Sequence, residues 1–181
     1  MKYPSKQITL KNGKTATLRA PEVRDAQALI DLLKTVTGET HFLSNYPEEI
    51  TMTVEGEERW IGGHLDSPLV YDILCEIDSE VVGSCSLTRI KQQKMRHRAT
   101  VGITIKQAYW NLGIGSAMFR EMISLARAWG LAQLELEFIE GNDRGRHLYE
   151  KMGFHVVAEK PNAVRLKDGT VLKEFFMIKE L

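Results

Sequence analysis

Apolar residues along the chain recur with two different periods, and the switches between them lay out the predicted elements. Residues 7–10 and 15–20 flank Lys11-Asn12-Gly13-Lys14. Asn-Gly supplies the positive φ angles of a tight hairpin, so the chain opens with antiparallel strands. Ala26, Leu29, Ile30, Leu33 and Val36 then keep helical spacing with Gly38 just beyond them, which predicts an amphipathic helix over 23–36 stopped at a glycine. Residues 37–53 are polar and show no period. A second helix is expected over 54–65, acidic near its start and loosened at its end by Gly62-Gly63. Residues 70–77 and 81–88 predict a second hairpin around Asp78-Ser79-Glu80, and the basic run from Arg89 to Arg98 reads as a solvent-exposed crossing into the next strand.

That next strand covers 101–105, and it leads through a turn into Gly113-Ile114-Gly115-Ser116, where a helical pattern begins. Met118, Met122, Leu125 and Trp129 mark its buried stripe, and Gly130 ends it. Leu134, Leu136 and Phe138 alternate with Gln133, Glu135 and Glu137, a strand returning after a helix and therefore a parallel crossover. Asn142 or Asp143 caps a short fourth helix through Met152, with Gly153 at its C-terminus and apolar Phe154 behind. Residues 156–159 and 172–180 read as closing strands, the second following an Asp168-Gly169 turn. Without repeats, low-complexity tracts or a linker, residues 1–181 read as one α/β domain built on a mixed sheet.

Composition narrows the function by exclusion. Lysine plus arginine and aspartate plus glutamate each number 24, so the formal net charge is zero and neither nucleic acid nor an anionic membrane is an expected partner. The two cysteines, Cys75 and Cys85, read as buried reduced thiols. No run of about 18 apolar residues exists and the opening residues lack the apolar core of a signal peptide, so the expected location is cytoplasmic.

The strand, glycine turn and helix around Gly113 and Gly115 form a unit suited to an anionic ligand such as a pyrophosphate. Unbonded N–H groups of the first helical turn point outward with the positive dipole end. A nucleotide P-loop is excluded because no Gly-Lys-Ser or Gly-Lys-Thr follows. The dinucleotide fingerprint lacks its third glycine, where Met118 stands, although Glu135 or Glu137 falls roughly 20 residues on and keeps that reading open. The crossover brings the glycine turn, the end of the Glu137 strand and the helix carrying Tyr149 together at strand carboxyl ends. A carboxylate and a phenol beside an anion-binding turn suit acid-base work. Glutamate at about 4.3 is a poor base for an ammonium near 10 unless its environment or a water relay helps, whereas tyrosine near 10 can protonate a departing thiolate near 8.5. The acidic cluster Glu48, Glu49, Glu55, Glu57 and Glu58 reads as a solvated helix face, and His64 and His97 have no partner at ligand spacing, so no metal is expected.

The run 101–118, then Leu134-Glu135-Leu136-Glu137, then residues 142–154 with Asn142, Leu148-Tyr149 and Gly153-Phe154, resembles the acyl-CoA binding core of the GNAT superfamily of N-acetyltransferases. The resemblance implies a single domain with a twisted, mixed but mostly antiparallel sheet of six or seven strands, flanked by about four helices. It further implies that Ile103, Thr104 and Ile105 run beside the pantetheine arm of acetyl-CoA, a backbone N–H there polarising the thioester carbonyl. Asn111, Leu112, Gly113, Ile114, Gly115 and Ser116 would wrap the pyrophosphate. Asn142 would contact the cofactor, with Arg144 and Arg146 near its phosphates or adenine. Tyr149 would be the general acid for the thiolate and Glu137 the base, a role that family members fill from different positions. Trp110 departs from the family's arginine or glutamine. The implied activity is direct acetyl transfer from acetyl-CoA to a primary amine of a small molecule or peptide, including protein N-termini. A noncatalytic acyl-CoA sensor is the alternative from another class. An open edge strand leaves pairing into a homodimer as an option.

Overall fold

A computed structural model describes residues 2–181. The first hairpin is β1 (Lys6–Thr9) with β2 (Thr15–Arg19), followed by helices α1 (Ala26–Glu39) and α2 (Val54–Asp66). Two long strands, β3 (Val70–Ile77) and β4 (Glu80–Arg89), turn tightly at Asp78 and Ser79, both with positive φ. Then come β5 (Arg98–Ile105), α3 (Ile114–Ala128), β6 (Gln133–Ile139) and α4 (Asp143–Lys151). The chain closes with the hairpin β7 (His155–Arg165) and β8 (Val171–Glu180).

All eight strands join one sheet in the order β1-β2-β3-β4-β5-β6-β8-β7. This exceeds the expected six or seven, and the short opening hairpin pairs onto β3 as a full member. Every pairing is antiparallel except β5 with β6, the crossover that α3 makes. That parallel pair holds at Arg98↔Gln133, Ala99↔Leu134 and Thr100↔Glu135 only. Beyond it the two strands diverge, so the edge of residues 101–105 that faces β6 has no strand partner.

The two faces of the sheet carry different cores. On one, Ile73, Cys75, Cys85 and Leu87 pack with Ala117, Met118, Phe119 and Met122 of α3 and with Tyr149 of α4. On the other, Leu74 and Val81 pack with Leu29, Leu32 and Val36 of α1 and Ile61 of α2. Successive residues of a strand alternate faces, so Asp72, Ser86, Gly102, Thr104 and Glu137 belong to the α1–α2 face while Ile103, Ile105, Leu136 and Phe138 belong to the α3 face.

One expected helix stop falls inside a helix. α1 runs through Gly38 to Glu39, and the absent Cβ of Gly38 gives room to the Pro47 ring, 3.5 Å from where that Cβ would sit. α2 keeps close to its expected span and runs through Gly62 and Gly63 to Asp66, held at its start by the Thr53 hydroxyl, which accepts the Gly56 N–H at 3.1 Å. Local propensity has yielded there to the apolar stripe that docks each helix on the sheet. The last hairpin is also longer than read, with β7 reaching from His155 to Arg165 despite being mostly exposed, since β8 supplies its ladder.

Candidate functional site

Between the diverging strands lies a cleft of about 800 Å3, open at the glycine turn and roofed on the other side by α1 and α2. The turn owes its shape to two left-handed residues, Asn111 at φ 64° and Gly113 at φ 93°. Gly113 is the N-cap of α3 and brings no side-chain cap, and the helical ladder starts with the Ala117 N–H on the Gly113 carbonyl at 3.0 Å. The N–H groups of Ile114, Gly115 and Ser116 therefore have no helical acceptor, and all three residues line the cleft.

The two glycines do different jobs. A Cβ at Gly113 would meet nothing nearer than the Lys11 stem at 3.7 Å, so there the requirement is the positive φ. A Cβ at Gly115 would come within 2.8 Å of Leu148 on α4. Glycine at 115 thus serves close packing of α3 against α4. Leu112 turns its carbonyl to the Lys11 N–H at 3.0 Å, fastening the first hairpin to the turn. A smaller cavity of about 380 Å3 lies beside that junction, edged by Lys11, Arg120 and Lys151.

Trp110 fills the position where a family arginine or glutamine was expected, and it is tied in from both sides. Its Nε1 donates to the Ile105 carbonyl at 2.8 Å, and the Arg144 guanidinium lies over its ring at 4.4 Å while donating to Asn111 Oδ1 at 2.6 Å. The end of β5, the turn and α4 are joined by these contacts. Ile103 and Ile105 point to the α3 side against Gly115, and Thr104 points to the opposite side, its hydroxyl 3.0 Å from Ser84 Oγ. Asn142 caps α4 through Oδ1, which accepts the Gly145 N–H at 3.0 Å, and its side chain borders the cleft. Arg146 is not brought to the cleft: it lies on the outer face of α4, paired with Glu150 at 2.8 Å.

Tyr149 is 8 % exposed, wedged edge-on against Phe119 and beside Phe138, and it borders the cleft. Burial pushes its phenol up to about 12, so it holds its proton throughout the neutral range. Glu135 and Glu137, two residues apart on one face of β6, have separate fates. Glu135 is 5 % exposed and bound to Arg98 at 2.8 Å and Gln133 at 2.9 Å, a structural ion pair. Glu137 is exposed and faces the cleft.

The wall formed by α1, α2 and β3 contains a constellation that the sequence reading did not find. His64 of α2, left without a partner there, places Nδ1 2.7 Å from Asp72 Oδ2 on β3, and its ring lies tilted against Trp60 with centroids 3.8 Å apart. The Trp60–His64 spacing of four residues marks one helix face, but the carboxylate comes from another element, so spacing alone was silent. Burial pushes the Asp72 carboxyl up, and the His64 ring acts in the opposite sense. Glu57, read as part of a solvated face, is 6 % exposed, and burial raises its carboxyl. Farther along the same wall, the 40–53 segment is clasped by the last hairpin. The Lys167 N–H donates to the Tyr46 hydroxyl at 2.9 Å, its ammonium lies 4.1 Å over the Tyr46 ring, and it pairs with Glu48.

Among the described residues, no helix is long and apolar enough to cross a membrane, and no group of three or more His, Cys, Asp or Glu side chains could hold a metal.

Comparison with known proteins matches residues 29–154 to the sequence model of the acetyltransferase (GNAT) family. The L-amino acid N-acetyltransferase AaaT of Escherichia coli is 25 % identical over 122 residues, 67 % of this chain and 75 % of that protein. A GNAT-family acetyltransferase structure from Streptococcus pneumoniae superposes with a TM-score of 0.86 at 28 % identity, covering 92 % of this chain and 99 % of that one. An acetyltransferase structure from Salmonella typhimurium solved with acetyl-CoA superposes at 0.79 with 20 % identity, covering 92 % and 94 %.

Proposed function

Because the chain belongs to the GNAT family of acetyltransferases, we propose that it moves an acetyl group from acetyl-CoA directly to the primary amine of a small molecule or peptide. The observation that carries this reading is the divergence of β5 from β6 after Thr100 and Glu135, with the glycine turn at one end of the opening and Tyr149 inside it. The residues present fit such a donor. Amides of Ile114, Gly115 and Ser116, with Lys11, Arg144 and Lys151 around them, suit linked phosphates, and the unpaired edge of residues 101–105 suits the amides of a pantetheine arm.

When bound, the thioester supplies an activated acyl group with a good leaving sulfur. Glu137, through water, takes the proton that the attacking amine gives up. A backbone N–H near Ile105 supports the carbonyl oxygen as charge gathers on it. Tyr149 gives its proton to the departing sulfur. A phenol at about 12 is a reluctant acid, but it is always protonated when needed, and the same desolvated surroundings raise the sulfur's own proton affinity.

Calorimetric titration with coenzyme A and a thiol-release assay across an amine panel test this reading. Saturable binding with amine-dependent thiol release is expected. Indifference to coenzyme A would overturn the donor assignment, and binding without acetylation of any amine would turn the protein into a sensor of acyl-CoA.

A further inference from the structure

The cleft is electrically divided. Every lysine and arginine among the described residues that line it, Lys11, Arg144 and Lys151, sits at the glycine turn or on α4. Toward α1 and α2 the wall is apolar, with Leu29, Leu33 and Trp60, and its charges are the carboxylates Asp72, Glu137 and Glu174 with Glu39 at the rim. An acceptor carboxylate placed in that half would leave water for low-dielectric walls, gain no ammonium or guanidinium partner and face charges of its own sign. A protonated or neutral amine meets no such opposition.

At the far end of this half stands the His64–Asp72 pair. The register Asp72↔Ser86↔Gly102 sets it two strands from β5, about 10 Å across the sheet at the usual interstrand spacing. That separation is too long for His64 to take a proton at the reacting nitrogen and about right for gripping the other end of the same molecule. In the neutral tautomer that gives Nδ1–H to Asp72, the ring presents the Nε2 lone pair, an acceptor, and the tilted contact with Trp60 holds the ring in place. Glu57 on α2 and Asp72 on β3 are the ionisable groups that act on it.

Resting on acetyl transfer as the activity, we propose that the acceptor is an amine lacking an α-carboxylate, with an apolar body and a hydrogen-bond donor at its far end received by His64 Nε2. His64 and Asp72 are then specificity-determining residues, and the preference departs from the amino-acid acceptors named for the Escherichia coli relative.

Paired acceptors test it: tyramine against tyrosine, which differ by the carboxylate, and tyramine against phenethylamine, which differ by the far hydroxyl. Thiol release should show kcat/KM at least tenfold higher for tyramine than for tyrosine. His64→Ala should raise KM for tyramine severalfold with kcat nearly unchanged, leave phenethylamine untouched and leave the Kd for coenzyme A unaltered, the last two serving as the check on folding. Tyrosine used as well as tyramine would overturn the carboxylate argument while acetyl transfer stands. Equal losses on tyramine and phenethylamine would overturn the role of His64. No thiol release with any amine would sink this inference together with the activity it rests on.

Discussion

The two ends of the cleft are built by opposite means. At the donor end a contiguous run, residues 110–116, presents backbone amides whose placement follows from two left-handed residues and a helix start. At the acceptor end single side chains from α1, α2, β3, β6 and the last hairpin converge, each contributing one group. A backbone-built site tolerates many side chains but few conformations. A side-chain-built site tolerates the reverse, which makes the first suited to an invariant ligand and the second to a variable one.

The strongest way to break the contrast is at the residue where both halves meet. Tyr149→Phe should lower kcat by about 10²-fold or more, the usual reach of a general acid, with coenzyme A affinity within about twofold. Single-turnover kinetics check it, and an unaltered chemical step would remove Tyr149 from the mechanism. Gly115→Val tests the claim that donor-end glycines are conformational and packing requirements. Its side chain would drive into Leu148, and we expect a loss of about 1 to 3 kcal/mol in urea unfolding with weakened coenzyme A binding.

Neighbouring glutamates on β6 give a sharper comparison within one strand. Glu135→Gln should cost about 1 to 3 kcal/mol of stability by stranding Arg98 and leave kcat/KM for the amine nearly intact. Glu137→Gln should do the converse, with thermal stability unchanged and kcat/KM reduced at least several-fold. If Glu137→Gln has wild-type kinetics, the base lies elsewhere on the acceptor wall.

The smallest effect concerns pH. Tyr149 is raised in the folded protein from an ordinary value near 10 to about 12. Its neutral phenol therefore contributes stability that is fully present below pH 10 and lost as pH rises through 12. Denaturation measured at intervals between those limits should show a total loss of stability smaller by about 2 kcal/mol in Tyr149→Phe than in the parent. A residual slope is expected from Tyr109, also held up to about 12 by its hydrogen bond to Glu80.

Legibility in the sequence followed the same division. The crossover, the glycine turn, the Asn142 cap and Gly153, at φ 89° and closing α4, are local, so spacing and residue type revealed them. What spacing missed was set by contacts between distant segments. Gly38 read as a helix end because glycine is a weak helix former, yet docking of α1 on the sheet overrode that preference. Glu135 and Glu137 were indistinguishable by alternation, and only Arg98, brought alongside by the parallel pairing, separates them. His64 looked solitary because Asp72 reaches it from a different element. Arg146 is the exception, since its partner Glu150 stands four residues on and helical spacing alone offers that pair.

The clasp between Lys167 and the Tyr46–Glu48 segment has an evolutionary corollary. It anchors the loop whose stretch 40–44 borders the cleft to the closing hairpin, both remote in sequence from the glycine turn. Drift in either partner can therefore reshape that end of the cleft while the turn at the other end is inherited unaltered.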